Sequence, residues 1–323
     1  MRPNLLIALV VVAFTVPAAA APRALSLQDV NAAELAKPAK ASQAVNLKAQ
    51  ILLDRASFSP GTIDGLHGEN FANALRAFQE RSGLTASGEL DAPTWDKLKQ
   101  DQGPVLIEYT ITRQDVAGPF AEEIPVSYEK KAALKRLDYT SATEMLAERF
   151  HMDEDLLEQL NRGKSFDEAG TVIVVANVNV KPVALAKVGK VEVDKTRKSV
   201  RVLAPDGKLI ALYPASIGSE EKPAPSGTLK VVRVARGPTY TYNPDFKFRG
   251  VKANRKLKIA PGPNNPVGVV WIALNQKTYG IHGTSEPSKV GKVESHGCVR
   301  LTNWDALALA AMVRKGTPVV FVE

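Results

Sequence analysis

The amino-acid sequence predicts a multidomain chain with a small three-helix N-terminal domain, an α+β middle module and a mostly-β, sandwich- or barrel-like C-terminal domain. Its 323 residues leave room for about two or three domains of ordinary size. Hydrophobic side chains recur at helical spacing before residue 102, whereas short strand-like runs separated by Pro and Gly turns follow residue 187. A composition with 45% hydrophobic and 24% charged residues excludes a wholly disordered, collagenous or coiled-coil chain.

Residues 1–20 have the pattern of a secretory signal peptide. Arg2 precedes the apolar run 5–16, and small residues at Ala18 and Ala20 fit cleavage after Ala20. This run is shorter than the roughly 20 apolar residues of a transmembrane helix, so we expect a periplasmic or otherwise extracytoplasmic protein with no stable membrane span after cleavage. Residues 21–44, rich in Ala, Lys, Ser and Gln, are predicted to be a linker.

Residues 45–102 are predicted to form the three-helix domain. Apolar side chains fall on one face of each of two helices, at Leu47, Ile51 and Leu52 and then at Phe71, Ala74, Leu75 and Phe78. A third helix is predicted to begin at Asp91, whose carboxylate caps it, with Pro93 in its first turn and Trp95 and Leu98 facing inward.

Short motifs in this segment resemble the peptidoglycan-binding domain of many cell-wall enzymes. They are Ile-Asp-Gly at 63–65, Ala-Phe-Gln at 77–79, Gly-Leu at 83–84 and Thr-Trp at 94–95, with single glycines at 68 and 88. The resemblance implies that this domain binds peptidoglycan. Phe78, Leu84 and Trp95 are expected in its core rather than in contact with a ligand.

Residues 105–180 form the predicted middle module. One helix is predicted to end near Phe150, a second to span 153–161 with Asp153 as its cap, and a buried strand to follow at 171–175. This strand, helix, helix, strand order resembles a LysM module, although Ala-Thr-Glu at 142–144 replaces the Gly-Asp pair common early in that family. The resemblance implies a second glycan-binding element, and a degenerate copy that only spaces the domains is the alternative.

Residues 187–323 form the predicted mostly-β domain. Alternation at Val191 and Val193 and at Val200 and Val202 predicts two strands, and Asp-Gly at 206–207 predicts a tight hairpin turn into a strand at 209–213. Further strands are predicted at 229–234, 267–274 and 319–322. The convincing helix of this domain spans 303–314, with Thr302 and Asp305 spaced as a capping box and Gly316 closing it.

The only cysteine of the chain, Cys298, lies near two of its four histidines, His282 and His296. A thiol with an ordinary pKa of about 8.5 is mostly protonated at neutral pH, and an adjacent imidazole lowers that pKa and accepts the proton. Gly297 leaves space for a substrate backbone and allows the amides of 297 and 298 to face one oxyanion. These residues are therefore candidates for nucleophilic catalysis.

Other interpretations of the same residues stay open at this point. His282, His296 and Cys298 are a three-ligand zinc set, but no second Cys or nearby Asp or Glu completes the usual spacing. An inert buried thiol beside structural histidines is a further alternative. Arg300 is as consistent with a surface ion pair as with a contact to a substrate carboxylate. Ser295 is a second nucleophile or, more simply, a hydrogen-bonding residue that holds the loop.

The segments Ile-His-Gly-Thr at 281–284 and Ser-His-Gly-Cys-Val-Arg-Leu at 295–301 resemble the L,D-transpeptidase catalytic domain, and the resemblance extends over 187–323. It implies that Cys298 is the acyl-accepting nucleophile, that His282 is general base and then acid, and that the Gly283 carbonyl orients His282. It also implies an oxyanion hole from the Gly297 and Cys298 amides, with His296, Ser295 and Arg300 supporting the loop or the substrate. No metal or cofactor is expected.

The family resemblance implies a reaction on peptidoglycan. The thiol would form a thioester with a tetrapeptide stem, release D-Ala and pass the acyl group to an amine, giving cross-links between stems or attachment of a wall-linked lipoprotein. The alternatives are a hydrolase of the same fold, acting as L,D-carboxypeptidase or cross-link endopeptidase, and a non-catalytic wall-binding protein. The net charge of +8, concentrated after residue 185, suits an anionic wall polymer. Nucleic acid is not an expected partner.

Overall fold

A computed structural model describes residues 25–36, 41–178, 187–219, 222–246, 253–295 and 297–323. The predicted signal peptide and the candidate loop residue His296 lie outside these ranges. Among the residues inside them, no helix combines the length and apolar character that a membrane crossing requires.

The predicted linker contains a short folded helix, α1 (Leu27–Asn31). Ser26 caps it by accepting a hydrogen bond from the Asp29 amide, and Val30 is fully buried. The Asn31 side-chain oxygen accepts from the amides of Val105 and Leu106, both at 2.9 Å. The expectation of a linker is therefore wrong for this stretch, because one turn of helix is too short to show periodicity and is held by contacts distant in sequence.

The N-terminal domain has the three predicted helices, α2 (Gln43–Arg55), α3 (Glu69–Arg81) and α4 (Ala92–Leu98). Asp91 caps α4 as expected, accepting from the Thr94 amide at 2.9 Å, and Trp95 and Leu98 are buried. The turn at 63–65 is held by Gln50, whose side-chain oxygen accepts from the Asp64 and Gly65 amides at 3.0 and 2.7 Å.

The middle module is a two-stranded sheet with helices between its strands. Strand β1 (Leu106–Thr110) pairs antiparallel with β2 (Val172–Ala176). The chain between them forms α5 (Arg113–Ala117), α6 (Tyr128–Ala133), α7 (Ala142–Arg149) and α8 (Glu154–Leu160). The predicted helix, helix, strand order and the Asp153 cap of α8 are present. The α5–α6 insertion was not predicted, and the identity of the module as LysM stays a prediction.

The C-terminal domain is mostly β, as predicted. Its strands are β3 (Lys190–Asp194), β4 (Ser199–Leu203), β5 (Leu209–Pro214), β6 (Ser216–Ile217), β7 (Gly227–Arg236), β8 (Tyr240–Tyr242), β9 (Leu257–Ile259), β10 (Val270–Leu274), β11 (Gly280–His282), β12 (Val299–Arg300) and β13 (Pro318–Val322). In the described part of the chain, one nine-stranded sheet has the order β5-β4-β3-β13-β7-β10-β11-β12-β6, and β8 and β9 form a separate hairpin.

The nine-stranded sheet curls back on itself. Its two outermost strands, β5 and β6, are consecutive in the chain and separated only by Ala215. The chain therefore passes directly from one edge of the sheet to the other, which gives a barrel-like shape with a buried interior. Val191, Val193, Val200 and Val202 are fully buried there, as their alternation predicted.

Helix α9 (Asn303–Met312) packs against this sheet and differs from its prediction in two details. Thr302 accepts from the Asp305 amide at 3.1 Å, but the Asp305 carboxylate accepts from the Ser59 hydroxyl at 3.0 Å rather than completing a capping box. Gly316 does not close the helix, which ends at Met312; it lies in the turn before β13, where its amide donates to the Val231 carbonyl. In both cases a contact distant in sequence replaces the local one.

The three units pack directly against one another. The backbone around Phe58 pairs with Leu212 on β5, so the N-terminal domain covers an edge strand of the C-terminal domain. A second bridge joins Ile63 to Met152 in the middle module. One hydrophobic cluster contains buried side chains from all three units.

Candidate active site

Trp271, His282 and Arg300 lie in register on three neighbouring strands. In the sheet register, Trp271 on β10 is opposite His282 on β11, and His282 is opposite Arg300 on β12. The residues of the other face, Ile281 and Val299, are buried in the barrel interior. Cys298 directly precedes β12 and packs against the barrel core, next to the strand pair that carries His282 and Arg300.

The His282 imidazole is held in one orientation. Its Nδ1 lies 2.6 Å from the Gly283 carbonyl oxygen, which only accepts hydrogen bonds, so Nδ1 carries the hydrogen and Nε2 keeps the free lone pair. The ring stacks on Trp271 with 5.5 Å between centroids and 16° between planes. Burial and the positive charge of Arg300 lower the pKa of His282 to about 3, against the opposing effect of the Gly283 hydrogen bond. The resting imidazole is neutral at physiological pH.

The Cys298 thiol is half-buried. Its sulfur lies 3.8 Å from the Thr278 carbonyl oxygen, to which the thiol donates. Burial raises the pKa of the thiol above its ordinary value, while a hydrogen bond from the Gly280 amide and the charge of Arg300 lower it by less. The pKa of the thiol is therefore raised overall in the resting protein, because desolvation outweighs the favourable contacts. That an imidazole accepts the thiol proton stays a prediction.

The turn that carries the thiol is closed by Ser295. Its hydroxyl donates to the Cys298 carbonyl at 2.5 Å and accepts from the Gly297 amide at 3.3 Å. Gly297 has a φ of 113°, a conformation open to glycine and costly for other residues. The Gly297 amide, a predicted oxyanion donor, is thus engaged within the turn in this state.

Tyrosines and the middle module surround Arg300. Helix α6 packs on the β8–β9 hairpin, where the Tyr128 ring lies 5.1 Å from that of Tyr242 and 6.1 Å from that of Tyr240. Arg300 acts electrostatically on Tyr128 as well as on Cys298, and its Nε is buried without a hydrogen-bond partner among the described residues. The middle module therefore packs on the β8–β9 hairpin, and its Tyr128 lies within electrostatic range of Arg300.

The buried side-chain amide of Asn303 contacts the segment that follows His282. The Asn303 side-chain oxygen accepts from the Thr284 and Val269 amides, both at 3.2 Å. Its nitrogen donates to both carboxyl oxygens of Glu148, at 3.1 and 3.0 Å, and to the Pro263 carbonyl at 3.2 Å. The segment that follows the cysteine motif is thereby joined to the segment that follows His282.

Within the described residues, no group of three or more His, Cys, Asp or Glu side chains is placed to hold a metal ion. His296, the third ligand of the zinc alternative, lies outside those residues.

Sequence reasoning missed four residues of this site. Trp271 is a large aromatic at one of the two partly exposed positions of β10, where buried and partly exposed residues alternate; the sequence does contain this signal. Asn303 was identified only as the start of a helix. Tyr128 and Glu148 carry no local signal, because both reach the site from another module.

Two segments of the chain match known protein families. Residues 189–321 match the family model described as "L,D-transpeptidase catalytic domain", and residues 47–98 match "Putative peptidoglycan binding domain". The chain is 42% identical over 91 residues to "Putative L,D-transpeptidase YkuD" of Bacillus licheniformis, a match that covers 28% of this chain and 52% of that protein. It is 34% identical over 117 residues to "Probable L,D-transpeptidase YbiS" of Escherichia coli, covering 35% and 38%.

Solved structures are similar at lower identity. An L,D-transpeptidase from Xylanimonas cellulosilytica aligns with a TM-score of 0.35 at 16% identity, covering 85% of this chain and 92% of that one. L,D-transpeptidase 3 from Mycobacterium tuberculosis aligns with a TM-score of 0.34 at 19% identity, covering 41% and 60%. The matched part of the chain spans about half the length of the Bacillus relative. By the two family matches, the chain carries an L,D-transpeptidase catalytic domain at residues 189–321 and a peptidoglycan-binding domain at residues 47–98.

Proposed function

We propose that this protein is a cysteine-dependent L,D-transpeptidase that acts on peptidoglycan outside the cytoplasm. The observation that carries the proposal is the hydrogen bond between His282 Nδ1 and the Gly283 carbonyl on the strand beside the Cys298 turn. This bond leaves Nε2 as the ring atom able to take a proton, and we propose that it takes the proton of the Cys298 thiol. The two matched families supply the substrate class.

The first half-reaction breaks the bond to the terminal D-Ala of a tetrapeptide stem. Cys298 Sγ attacks the carbonyl carbon of the third residue while its proton passes to His282 Nε2. The carbon–nitrogen bond then breaks, the proton passes from His282 to the departing amine, and a thioester remains on Cys298. The positive imidazolium of this step is stabilised by the Gly283 carbonyl and by the negative charge that develops next to it.

The second half-reaction transfers the acyl group to an amine. The acceptor nitrogen attacks the thioester carbonyl, and its proton passes to His282. The carbon–sulfur bond then breaks, and His282 returns the proton to the sulfur, which regenerates the thiol. In both halves we propose that the Cys298 amide stabilises the oxyanion, joined by Gly297 once its bond to Ser295 has loosened. Arg300, with its unpaired buried Nε, is proposed to bind a carboxylate of the stem.

The proposed acceptor is an amine of a second stem. A wall-linked lipoprotein provides the same chemistry, and water would make the enzyme a hydrolase. Incubating the full chain with purified tetrapeptide muropeptides, with mass spectrometry of the products, separates these outcomes. Dimers that have lost D-Ala support transfer, whereas tripeptide monomers alone would defeat the transferase proposal.

The nucleophile is tested by the Cys298→Ala variant. The wild-type chain is expected to gain the mass of a carbapenem as a stable thioester, and the variant to gain none, because no other thiol is present in the sequence. Both chains are expected to co-sediment equally with insoluble peptidoglycan through residues 47–98. An adduct on the variant would overturn the assignment of Cys298.

A further inference from the structure

Glu148 is a buried acid of the middle module that reaches into the catalytic domain. It lies on α7 with 8% of its surface exposed, and its oxygens accept from Asn303 Nδ2 at 3.1 and 3.0 Å. The Tyr139 hydroxyl donates to the same carboxyl at 3.3 Å. Burying a carboxyl costs free energy unless hydrogen bonds offset it. The two bonds from Asn303 also join the middle module to the catalytic domain.

The Asn303 amide can take only one useful orientation. Its nitrogen faces the acceptors of Glu148 and Pro263, and its oxygen faces the amide N–H groups of Thr284 and Val269. A flipped amide would point its NH2 group at two donors and its oxygen at carboxyl and carbonyl oxygens. Without Glu148, the Pro263 carbonyl would be the one described acceptor left to hold the nitrogen.

The bond from Thr284 to Asn303 acts on the histidine through a single peptide unit. The Gly283 carbonyl and the Thr284 N–H belong to the same planar peptide group. Asn303 Oδ1 holds the N–H at 3.2 Å, and the carbonyl at the other end of the plane accepts from His282 Nδ1 at 2.6 Å. Fixing the N–H direction therefore fixes the direction of the carbonyl that orients the imidazole.

The turn after His282 packs closely against the Asn303 side chain. A Cβ built on Gly283 or on Gly268 would overlap the Asn303 amide oxygen, so both backbones lie directly against that side chain. A small rotation of the amide would press on the peptide that holds His282.

We infer that Glu148 is a positioning residue of the catalytic site: through Asn303 and the Gly283–Thr284 peptide, the middle module sets the orientation of the His282 imidazole. This inference rests on the proposed function for its kinetic readout. A purely structural role for Glu148, joining the two modules, would change stability and leave the chemistry of folded molecules unchanged.

The test compares two substitutions of Glu148 in the full chain. Glu148→Leu fills a similar volume without an acceptor, and Glu148→Gln keeps an oxygen for Asn303 Nδ2. Burial raises the pKa of Glu148 to about 8, so at neutral pH the carboxyl is largely protonated and Gln resembles it. The matched control is Asn73→Ala, which removes a different cross-domain hydrogen bond, the one from Asn73 Nδ2 to the Arg197 carbonyl at 3.1 Å.

Two quantities are measured on each variant. One is the rate constant of carbapenem acylation, separated from the half-saturation concentration by varying the inhibitor. The other is the NMR signal of the His282 Nδ1 proton, assigned by its loss in a His282→Gln chain. Thermal unfolding is recorded for each, and Glu148→Met replaces Glu148→Leu if the latter is unfolded at the assay temperature.

Glu148→Leu is expected to acylate at least about tenfold more slowly at an unchanged half-saturation concentration, since small misplacements of a catalytic group have effects of this size. Its His282 Nδ1 proton signal should shift or broaden. Glu148→Gln is expected within about threefold of wild type, and Asn73→Ala should match wild type in both readouts.

The inference is overturned if Glu148→Leu acylates at the wild-type rate, if Asn73→Ala slows as much, or if Glu148→Gln is as slow as Glu148→Leu. A wild-type chain that forms no adduct would count against the proposed function instead. In that event the NMR signal still decides: an Nδ1 proton signal unchanged in Glu148→Leu refutes the positioning role.

Discussion

The thiol and the imidazole of the site rest as a neutral pair. Burial raises the pKa of Cys298, and burial with the charge of Arg300 lowers the pKa of His282, so both shifts disfavour a thiolate–imidazolium pair in the empty site. Charge would then develop only as the thiol attacks, where the Gly283 carbonyl is already oriented toward the imidazole.

Cys298 is therefore expected to titrate above the ordinary thiol range. Thiolate absorbance in the ultraviolet, taken as the difference between wild type and Cys298→Ala, should be absent at neutral pH and appear only in alkaline buffer. Arg300→Gln should move the titration higher still, because it removes a positive charge that favours the thiolate. Arg314→Gln, at an exposed position of the same domain, is the control. A strong thiolate signal at neutral pH would contradict the neutral pair.

Trp271 is expected to control the titration of His282. Trp271→Leu removes the stacked ring and admits water, so the pKa of His282 should rise toward its ordinary value, and Trp271→Phe should raise it less. Stacked aromatic pairs contribute about 0.5–1.5 kcal/mol beyond their burial, so a modest loss of stability is expected too. Histidine NMR across the acidic range measures the shift, and an unchanged pKa in Trp271→Leu would show that the ring does not shield the imidazole.

At the scale of elements, backbone hydrogen bonds join the N-terminal domain to the outer edge of β5. The Ser59 amide donates to the Leu212 carbonyl at 2.9 Å, and the Leu212 amide donates to the Ser57 carbonyl at 3.0 Å. An uncovered edge strand is a site for aggregation. The N-terminal domain therefore protects the barrel as well as matching a peptidoglycan-binding family.

Phe58→Ala is expected to weaken the contact between the N-terminal domain and the edge of β5. Phe58 is 3% exposed and packs edge-to-face on Phe78 with 5.8 Å between ring centroids. Its truncation should lower the free energy of unfolding by about 3–5 kcal/mol and increase aggregation on mild heating. Chemical denaturation and light scattering measure the two effects. Val126→Ala, at a position 93% exposed, is the apolar control, and equal behaviour of the two variants would argue against the edge-cover role.

At the scale of the whole molecule, the three units meet at buried titratable groups. Asp54 on α2 pairs with the His151 ring at 3.0 Å, and that ring stacks on Trp304 of α9 with 5.1 Å between centroids. Asp305 accepts from Ser59 at the same junction. Burial, with the nearby charge of Asp54, raises the pKa of Asp305 to about 7. The junction therefore couples domain packing to pH.

The folded protein is expected to lose stability from mildly acidic to mildly alkaline pH. Asp305 and Glu148 have folded-state pKa values of about 7 and about 8, above those of the unfolded chain, so the folded state binds more protons over this interval. Stability from both groups is present below their unfolded pKa values and is lost as the pH rises through the folded ones. The two carboxyls alone should lower the stability by about 6 kcal/mol between about pH 5 and about pH 8. His282, whose folded pKa of about 3 lies below its unfolded value, offsets about 2 kcal/mol of this fall.

Urea unfolding at a series of pH values measures this fall. The double variant Glu148→Gln with Asp305→Asn should flatten it, because neither replacement side chain titrates. A wild-type stability that rises steadily with pH over the same interval would contradict the expected direction.

Local patterns were sufficient for much of the fold. The α2, α3 and α4 helices, the Asp91 and Asp153 caps and the buried valines of β3 and β4 follow from periodicity and capping chemistry within a few residues, and the structure confirms them. Helix α1, the end of α9 and the α5–α6 insertion were missed, because each is determined by contacts with residues far away in the chain.

The same division applies to the site. The sequence by itself determined which groups carry the chemistry: one sulfur, a histidine followed by glycine, and an arginine two residues after the sulfur. Only the tertiary structure decided the protonation of the thiol and the imidazole, since desolvation depends on what packs around a group. It also placed His282 opposite Arg300, because β11 pairs with β12. It also decided that Glu148 lies behind Asn303, because two modules must dock before these side chains meet.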